Sequence, residues 1–329
     1  MAEIEEAYEV IREINNGNGV DIETKNLRRK NYRASSSHGL EGVDWMQWKG
    51  RVKMDHAVAA GHSFGAATVT DMLRHDKRFD WVSQGIIYDI WGAGTRPVDS
   101  DEHKITAPIL AINSEAFTYW SKNYELVESL VEEAGDYPSW LLTVRGTIHV
   151  NQSDFSILYP NVCSLALKMT ANPRRALDIN VNASLEFLRM VMPGIPERLC
   201  ETFPTEGFLR GEEKPLETIP SAEQHRPRDE QWTGGRLSIP HEFMWRVMPG
   251  AARKAKRAKA KAEGQDGVSA EVWVHKRPDE ETIEKYSVRT RRIRVGAGNP
   301  ASKVKPQCVP SNKRHTSKHS QPGLENGKP

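Results

Sequence analysis

Cysteine is scarce in this sequence, with three in 329 residues, at Cys163, Cys200 and Cys308. They are too few and too scattered for a disulfide framework or a zinc site. Long apolar runs are missing as well. No stretch approaches the ~18–20 residues that a bilayer-spanning helix requires, which excludes a transmembrane helix. The first residues, M-A-E-I-E-E, are acidic and carry no apolar core, so no secretory signal is visible. Mean hydropathy is −0.63, polar for a chain that packs throughout, so part of it is expected not to pack. These absences describe a reduced, soluble protein of the cytoplasm.

Charge is near balance overall, at +2, but it is unevenly placed. Residues 205–329 hold 25 Lys and Arg against 16 Asp and Glu, leaving 21 against 28 in residues 1–204. A change of sign along the chain marks two parts with different jobs.

The acidic part alternates between helix and strand patterns. In A-E-I-E-E-A-Y-E-V-I-R-E-I, residues Ile4, Ala7, Val10, Ile11 and Ile14 fall on one helical face, and N-G-N-G at 16–19 ends it. Short apolar runs at 56–62, 84–90, 107–114 and 140–146 read as buried parallel strands. Helix patterns occupy 66–74 and 121–135, the latter closed by Gly135, then roughly 154–170 and 176–192. This order implies an α/β fold, a partial α/β sheet of about four parallel strands with helices on both faces. Past residue 204 the periodicity fades. A basic run fills 253–261, and V-W-V with R-R-I-R-V forms a candidate hairpin. Residues 205–329 are therefore expected to be a largely disordered basic extension of a domain at 1–204.

The strongest local motif is G-H-S-F-G at 61–65, which fits G-x-S-x-G and has an apolar strand before it and a helix after it. Flanking glycines relieve a tight turn that lifts the Ser63 hydroxyl into the open. A serine needs a base, and the base needs an orienting carboxylate. Asp89 ends I-I-Y-D at the C-terminal edge of a strand, where open α/β sheets place their sites. Asp71, Asp76 and Asp80 lie in or just after a helix. His149, in R-G-T-I-H-V-N, follows the fourth strand at the same edge; His75 and His103 come earlier. His62 is read as structural, its side chain turned into the fold.

G-H-S-F-G-A-A-T-V, I-I-Y-D-I-W, A-I-N-S-E, V-R-G-T-I-H-V-N-Q-S-D-F and L-D-I-N-V-N-A-S-L-E-F-L, in that order, resemble the platelet-activating factor acetylhydrolase family of plasma and intracellular type II lipases. The likeness covers roughly 1–195, and G-V-D-W-M-Q-W-K-G-R-V at 42–52 resembles fungal members. It implies an α/β-hydrolase that removes a short or oxidised sn-2 acyl chain from glycerophospholipids without calcium or a cofactor. Ser63 would be the nucleophile, Asp89 the acid and His149 the base. The Phe64 N–H would give half of the oxyanion hole, and Trp91 would line the acyl pocket. The partner would be a phospholipid or short-chain ester, met at a membrane or lipid surface.

In such a fold four strands and their helices precede the nucleophile, which should need well over ~100 residues. Only 62 residues precede Ser63, and they show one helix and no clear strand. The sequence is thus expected to hold the C-terminal half of a hydrolase, with weak or absent activity. A silent binding fragment is the competing expectation. A nucleic-acid partner is not expected, because no zinc motif, RNA-binding signature or recognition helix accompanies the basic run.

Overall fold

The architecture is that of a computed structural model, which describes residues 1–26, 40, 42–54, 56–96, 103–192, 204–211, 215 and 271–286. The expected runs become β1 (Ala57–His62), β2 (Val82–Tyr88), β3 (Ile109–Ser114) and β4 (Ser139–Val144), paired parallel in that order. Every residue of β3 and β4 is buried, which is why both read as unbroken apolar runs rather than alternating ones.

A fifth strand, β5 (Val272–Lys276), pairs antiparallel with β4. It brings one short piece of 205–329, expected to be a largely disordered extension, into the sheet. Val272 and Trp273 are buried, and Phe208 and Leu209 enter the same core. The V-W-V half of the candidate hairpin lies in β5, whereas R-R-I-R-V and the basic run 253–261 lie outside the described residues. At the other edge, β1 pairs with β2 alone among the described strands.

Two apolar layers cover the sheet. On one face, α3 (Phe64–Arg74) and α5 (Ser121–Glu133) bring Val69, Met72, Leu73, Val127 and Val131 onto Ile87, Ile109 and Leu141. Gly85 makes the close approach of α3 possible, since a Cβ there would stand 2.5 Å from Leu73 Cδ1. On the other face, α8 (Pro173–Val191) lays Ile179, Ala183 and Phe187 on Leu110, Trp140 and Leu142. It starts where the sequence signals a start: the Asn172 side chain accepts from Arg174 N–H and Arg175 N–H, and Pro173 takes the first turn. Burying a side chain such as Phe187 contributes about 1.5–3 kcal/mol.

The N-terminal helix α1 (Ala2–Asn16) uses its apolar face only in part. Ile4 packs against the core and Tyr8 stacks on Trp81 at 4.1 Å, but none of its residues is buried and Ile11 is exposed. A short helix α2 (Gly19–Lys25) follows. The helix expected over 154–170 is two pieces, α6 (Phe155–Leu158) and α7 (Pro160–Leu165). Pro160 has no N–H to continue the first piece, so the chain restarts there.

Candidate active site

The site is built where β1 and β2 end. Ser63 follows β1 with φ 59° and ψ −118°, a backbone conformation unusual for a residue with a side chain. Its N–H donates to the Tyr88 carbonyl at 3.0 Å, so the turn starts while still attached to the sheet. Gly61 is sterically required: a Cβ there would meet the Gly65 carbonyl oxygen at 2.3 Å. The matching expectation for Gly65 is corrected, because a Cβ on Gly65 would meet nothing within 4 Å. Crowding is one-sided; the helix backbone at Gly65 presses toward position 61, and position 65 itself faces outward.

Asp89 stands at the corresponding place one strand over, fully buried, with φ 43°. One carboxylate oxygen accepts the Ser114 N–H and the other faces His149 Nδ1 at 3.2 Å. His149 Nε2 lies 3.0 Å from Ser63 Oγ. With the Nδ1 proton donated to Asp89, Nε2 is left to accept from the serine hydroxyl. Ser63, Asp89 and His149 are therefore joined in one hydrogen-bonded line.

The loop carrying His149 is tied down at several points. The Ile148 N–H donates to Asn151 Oδ1 at 2.9 Å, and the Gly146 N–H donates to the fully buried Glu115 carboxylate. Gly146 itself has φ 72°, and a Cβ there would meet Thr170 Oγ1 at 2.5 Å. Beyond Asp89, buried Asn123 accepts from the Gly92 N–H at 2.7 Å and donates to the Ile90 carbonyl at 3.1 Å.

Aromatic rings cluster just beyond Ser63 and Asp89. Phe64 and Trp91 meet edge to face at 5.7 Å, and Trp91 lies 6.4 Å from Trp120. Both Phe64 and Trp91 are exposed. Phe64 opens α3, and the N–H of a first helical residue has no acceptor within its helix.

Other sequence candidates fall elsewhere. His75 closes α3 with Nδ1 2.7 Å from the Asp71 carbonyl oxygen and packs beside His103, while Asp76 accepts from Thr106 at 3.2 Å. His62 is part-buried, with its Nε2 shielded from solvent and its ring 4.4 Å from the His149 ring. Burial, then the neighbouring His149, hold its pKa below the ordinary histidine value. Sequence reasoning missed Glu115, Phe117 and Asn123; Glu115 alone carried a signal, as the last residue of A-I-N-S-E at a strand end. Among the described residues no group of three His, Cys, Asp or Glu side chains gathers to hold a metal, and Cys163 is a buried free thiol.

Residues 1–193 match the model of the platelet-activating factor acetylhydrolase, isoform II family. The chain is 33% identical over 150 residues to the platelet-activating factor acetylhydrolase of Gallus gallus, covering 44% of this chain and 33% of that protein. It is 30% identical over 194 residues to that of Cavia porcellus, covering 57% and 42%. A putative phospholipase A2 of Schizosaccharomyces pombe is 32% identical over 161 residues, covering 40% and 36%. The chain thus spans between a third and somewhat over two-fifths of the length of these curated relatives. With its family match running through the strand ends that carry Ser63, Asp89 and His149, the chain belongs to the platelet-activating factor acetylhydrolase, isoform II family.

Proposed function

We propose that this chain is a carboxylic ester hydrolase of the 1-alkyl-2-acetylglycerophosphocholine esterase type, using Ser63 as nucleophile, His149 as base and Asp89 as orienting acid. The observation that carries the reading is the line from Ser63 Oγ to His149 Nε2 at 3.0 Å and from His149 Nδ1 to Asp89 at 3.2 Å. In the first step Ser63 Oγ attacks the sn-2 ester carbonyl while its proton passes to His149. The lysophospholipid alcohol leaves with that proton, and the acyl group stays on Ser63. Water then attacks the acyl-serine, again through His149, and the short fatty acid departs. Asp89 stabilises the imidazolium formed twice in the cycle, and the Phe64 N–H donates to the oxyanion.

The substrate class follows from family membership and from the site mouth, where Phe64, Trp91 and Trp120 give a short acyl chain apolar walls. A lipid surface suits the exposed side chains of Phe155, Leu158, Tyr159, Val162 and Leu165, carried by α6, α7 and the break between them just past His149. Among the described residues no helix is long and apolar enough to cross a membrane.

A second reading, a weak or silent family member, is favoured by β1 pairing with β2 alone, and by Phe64 N–H as the one backbone donor assigned to the oxyanion, among the described residues. Lack of a donor costs ~10²–10³ in turnover. A serine-directed phosphonate and an sn-2 acetyl glycerophospholipid separate the two. Labelling of Ser63 with hydrolysis abolished in Ser63→Ala is expected of the enzyme. Absence of labelling and of turnover would leave the silent reading.

A further inference from the structure

The short helix α4 (Glu115–Thr118) and the residue before it reach both partners of the serine at once. Ser114 gives its N–H to one oxygen of Asp89. Glu115 holds the turn before His149 through the Gly146 N–H, and the Ala116 N–H donates to the Thr147 carbonyl at 3.2 Å. Phe117, 5% exposed, lies flat against the His149 imidazole, with ring centroids 4.3 Å apart and planes 4° from parallel. The segment is itself fixed: Thr118 Oγ1 donates to the Ser114 carbonyl at 3.1 Å and lies 2.6 Å from Thr143 Oγ1, and Phe117 meets Trp120 edge to face at 5.7 Å.

We propose that Phe117 is a positioning residue for the His149 base, and that Ser114–Thr118 is the element that sets acid and base relative to each other. The inference deepens the hydrolase reading and rests on it for its kinetic half. Two physical effects follow from the contact. A flat ring removes the freedom of the imidazole to tilt away from Ser63 while Asp89 holds its other end. The negative face of the Phe117 ring also attracts the imidazolium that each proton transfer creates. The other groups facing the His149 ring are Asp89 at Nδ1, Ser63 at Nε2 and the ring of His62, tilted by 36° on its β1 side. Of these, only His62 is a second base, and it opposes the imidazolium when protonated. Phe117 is therefore the neutral side chain in this set that favours the charged form without competing for its proton.

The test replaces the ring while keeping the bulk. Phe117→Leu leaves an apolar side chain over His149 and removes the π face; Phe117→Tyr restores it. The full chain is used throughout, with circular dichroism and unfolding midpoint as checks of the fold. Reaction of Ser63 with a phosphonate is followed as well, which needs no ester turnover. In Phe117→Leu the labelling rate is expected to fall about tenfold. kcat is expected to fall about ten- to a hundredfold with little change in KM. Phe117→Tyr should return both toward the parent values. A folded Phe117→Leu protein whose labelling rate and kcat match the parent overturns the proposal. Slowed labelling in a chain that hydrolyses no ester would keep the positioning and overturn the hydrolase reading instead. If Phe117→Leu does not fold, Phe117→Met serves as the second ring-free variant, and the same outcomes decide.

Discussion

Arg74 and Glu133 face each other across the α3–α5 contact with both side chains buried, joined by two hydrogen bonds of 2.9 and 2.6 Å. The pair does more than neutralise itself. Glu133 also accepts the Ile105 N–H at 3.0 Å, and Arg74 donates to the Arg96 carbonyl at 2.5 Å, so it closes the loop between β2 and β3 onto the helices. Glu133→Ala would leave a buried guanidinium without its partner and is expected to destabilise the fold by about 3–5 kcal/mol. Chemical denaturation of the two proteins measures it. A loss below about 1 kcal/mol would mean that water reaches Arg74.

The two glycines of G-H-S-F-G are expected to respond in opposite ways. Gly61→Ala drives a Cβ into the backbone at Gly65 and should collapse the turn, removing reaction with phosphonate. Gly65→Ala meets open space and should fold and react like the parent. Equal behaviour of the two variants in a labelling assay would contradict this account of the turn.

Asp89→Asn keeps the size of the side chain and puts an amide beside His149 Nδ1. The Ser114 N–H can still be satisfied by the amide oxygen, so the fold should stand. The amide N–H then favours the wrong imidazole tautomer, and turnover should fall by about 10⁴. Steady-state rates with a short-chain ester read this directly, and a loss of less than tenfold would remove Asp89 from the reaction.

β5 carries a pH response. Burial lowers the His275 pKa to about 4, while Nε2 is 2.8 Å from Thr143 Oγ1 and the Tyr124 ring packs at 5.4 Å. Unfolded histidine protonates near 6.5, so between 6.5 and about 4 the unfolded chain binds more protons than the folded one. Stability then rises with pH in that window and is lost as pH falls through it, by at most about 1.4 kcal/mol per pH unit. His275→Asn should flatten that slope. Amide hydrogen exchange at 272–276, measured from pH 7 to 4, would expose a slope that survives the substitution.

The strands β2, β3 and β4 were legible as short, mostly buried apolar runs, β1 as an apolar run although only Ala59 in it is buried, and the serine turn because its glycine at 61 answers to a local clash. Asp89 and His149 were legible from their places at strand ends. β5 was legible only as a strand pattern, V-W-V in a candidate hairpin; its partner is the β4 edge, which no local pattern reveals. Arg175 shows the same kind of hidden cause. It bonds Glu206 and Glu271 at once, linking α8 to two separated pieces of the basic part. Glu115 and Phe117 escaped because an acid and an aromatic ring after a strand are ordinary. Their meaning lies in what β2 and β4 bring beside them.

In the parallel ladder His62 is the partner of Tyr88, so Ser63 and Asp89 are each the next residue beyond one matched rung. Both leave the sheet through left-handed backbone, and both still hang from it, Ser63 N–H on Tyr88 and Asp89 N–H on Ile112 at 2.9 Å. The gap between nucleophile and acid is thereby measured out by the pitch of neighbouring strands, about 4.8 Å. The sheet acts as a ruler, and side chains along β1 and β2 can drift in identity without altering the spacing. A slip of one residue between the two strands would be another matter, for it would turn one of the pair to the opposite face and break the line to His149 in a single step.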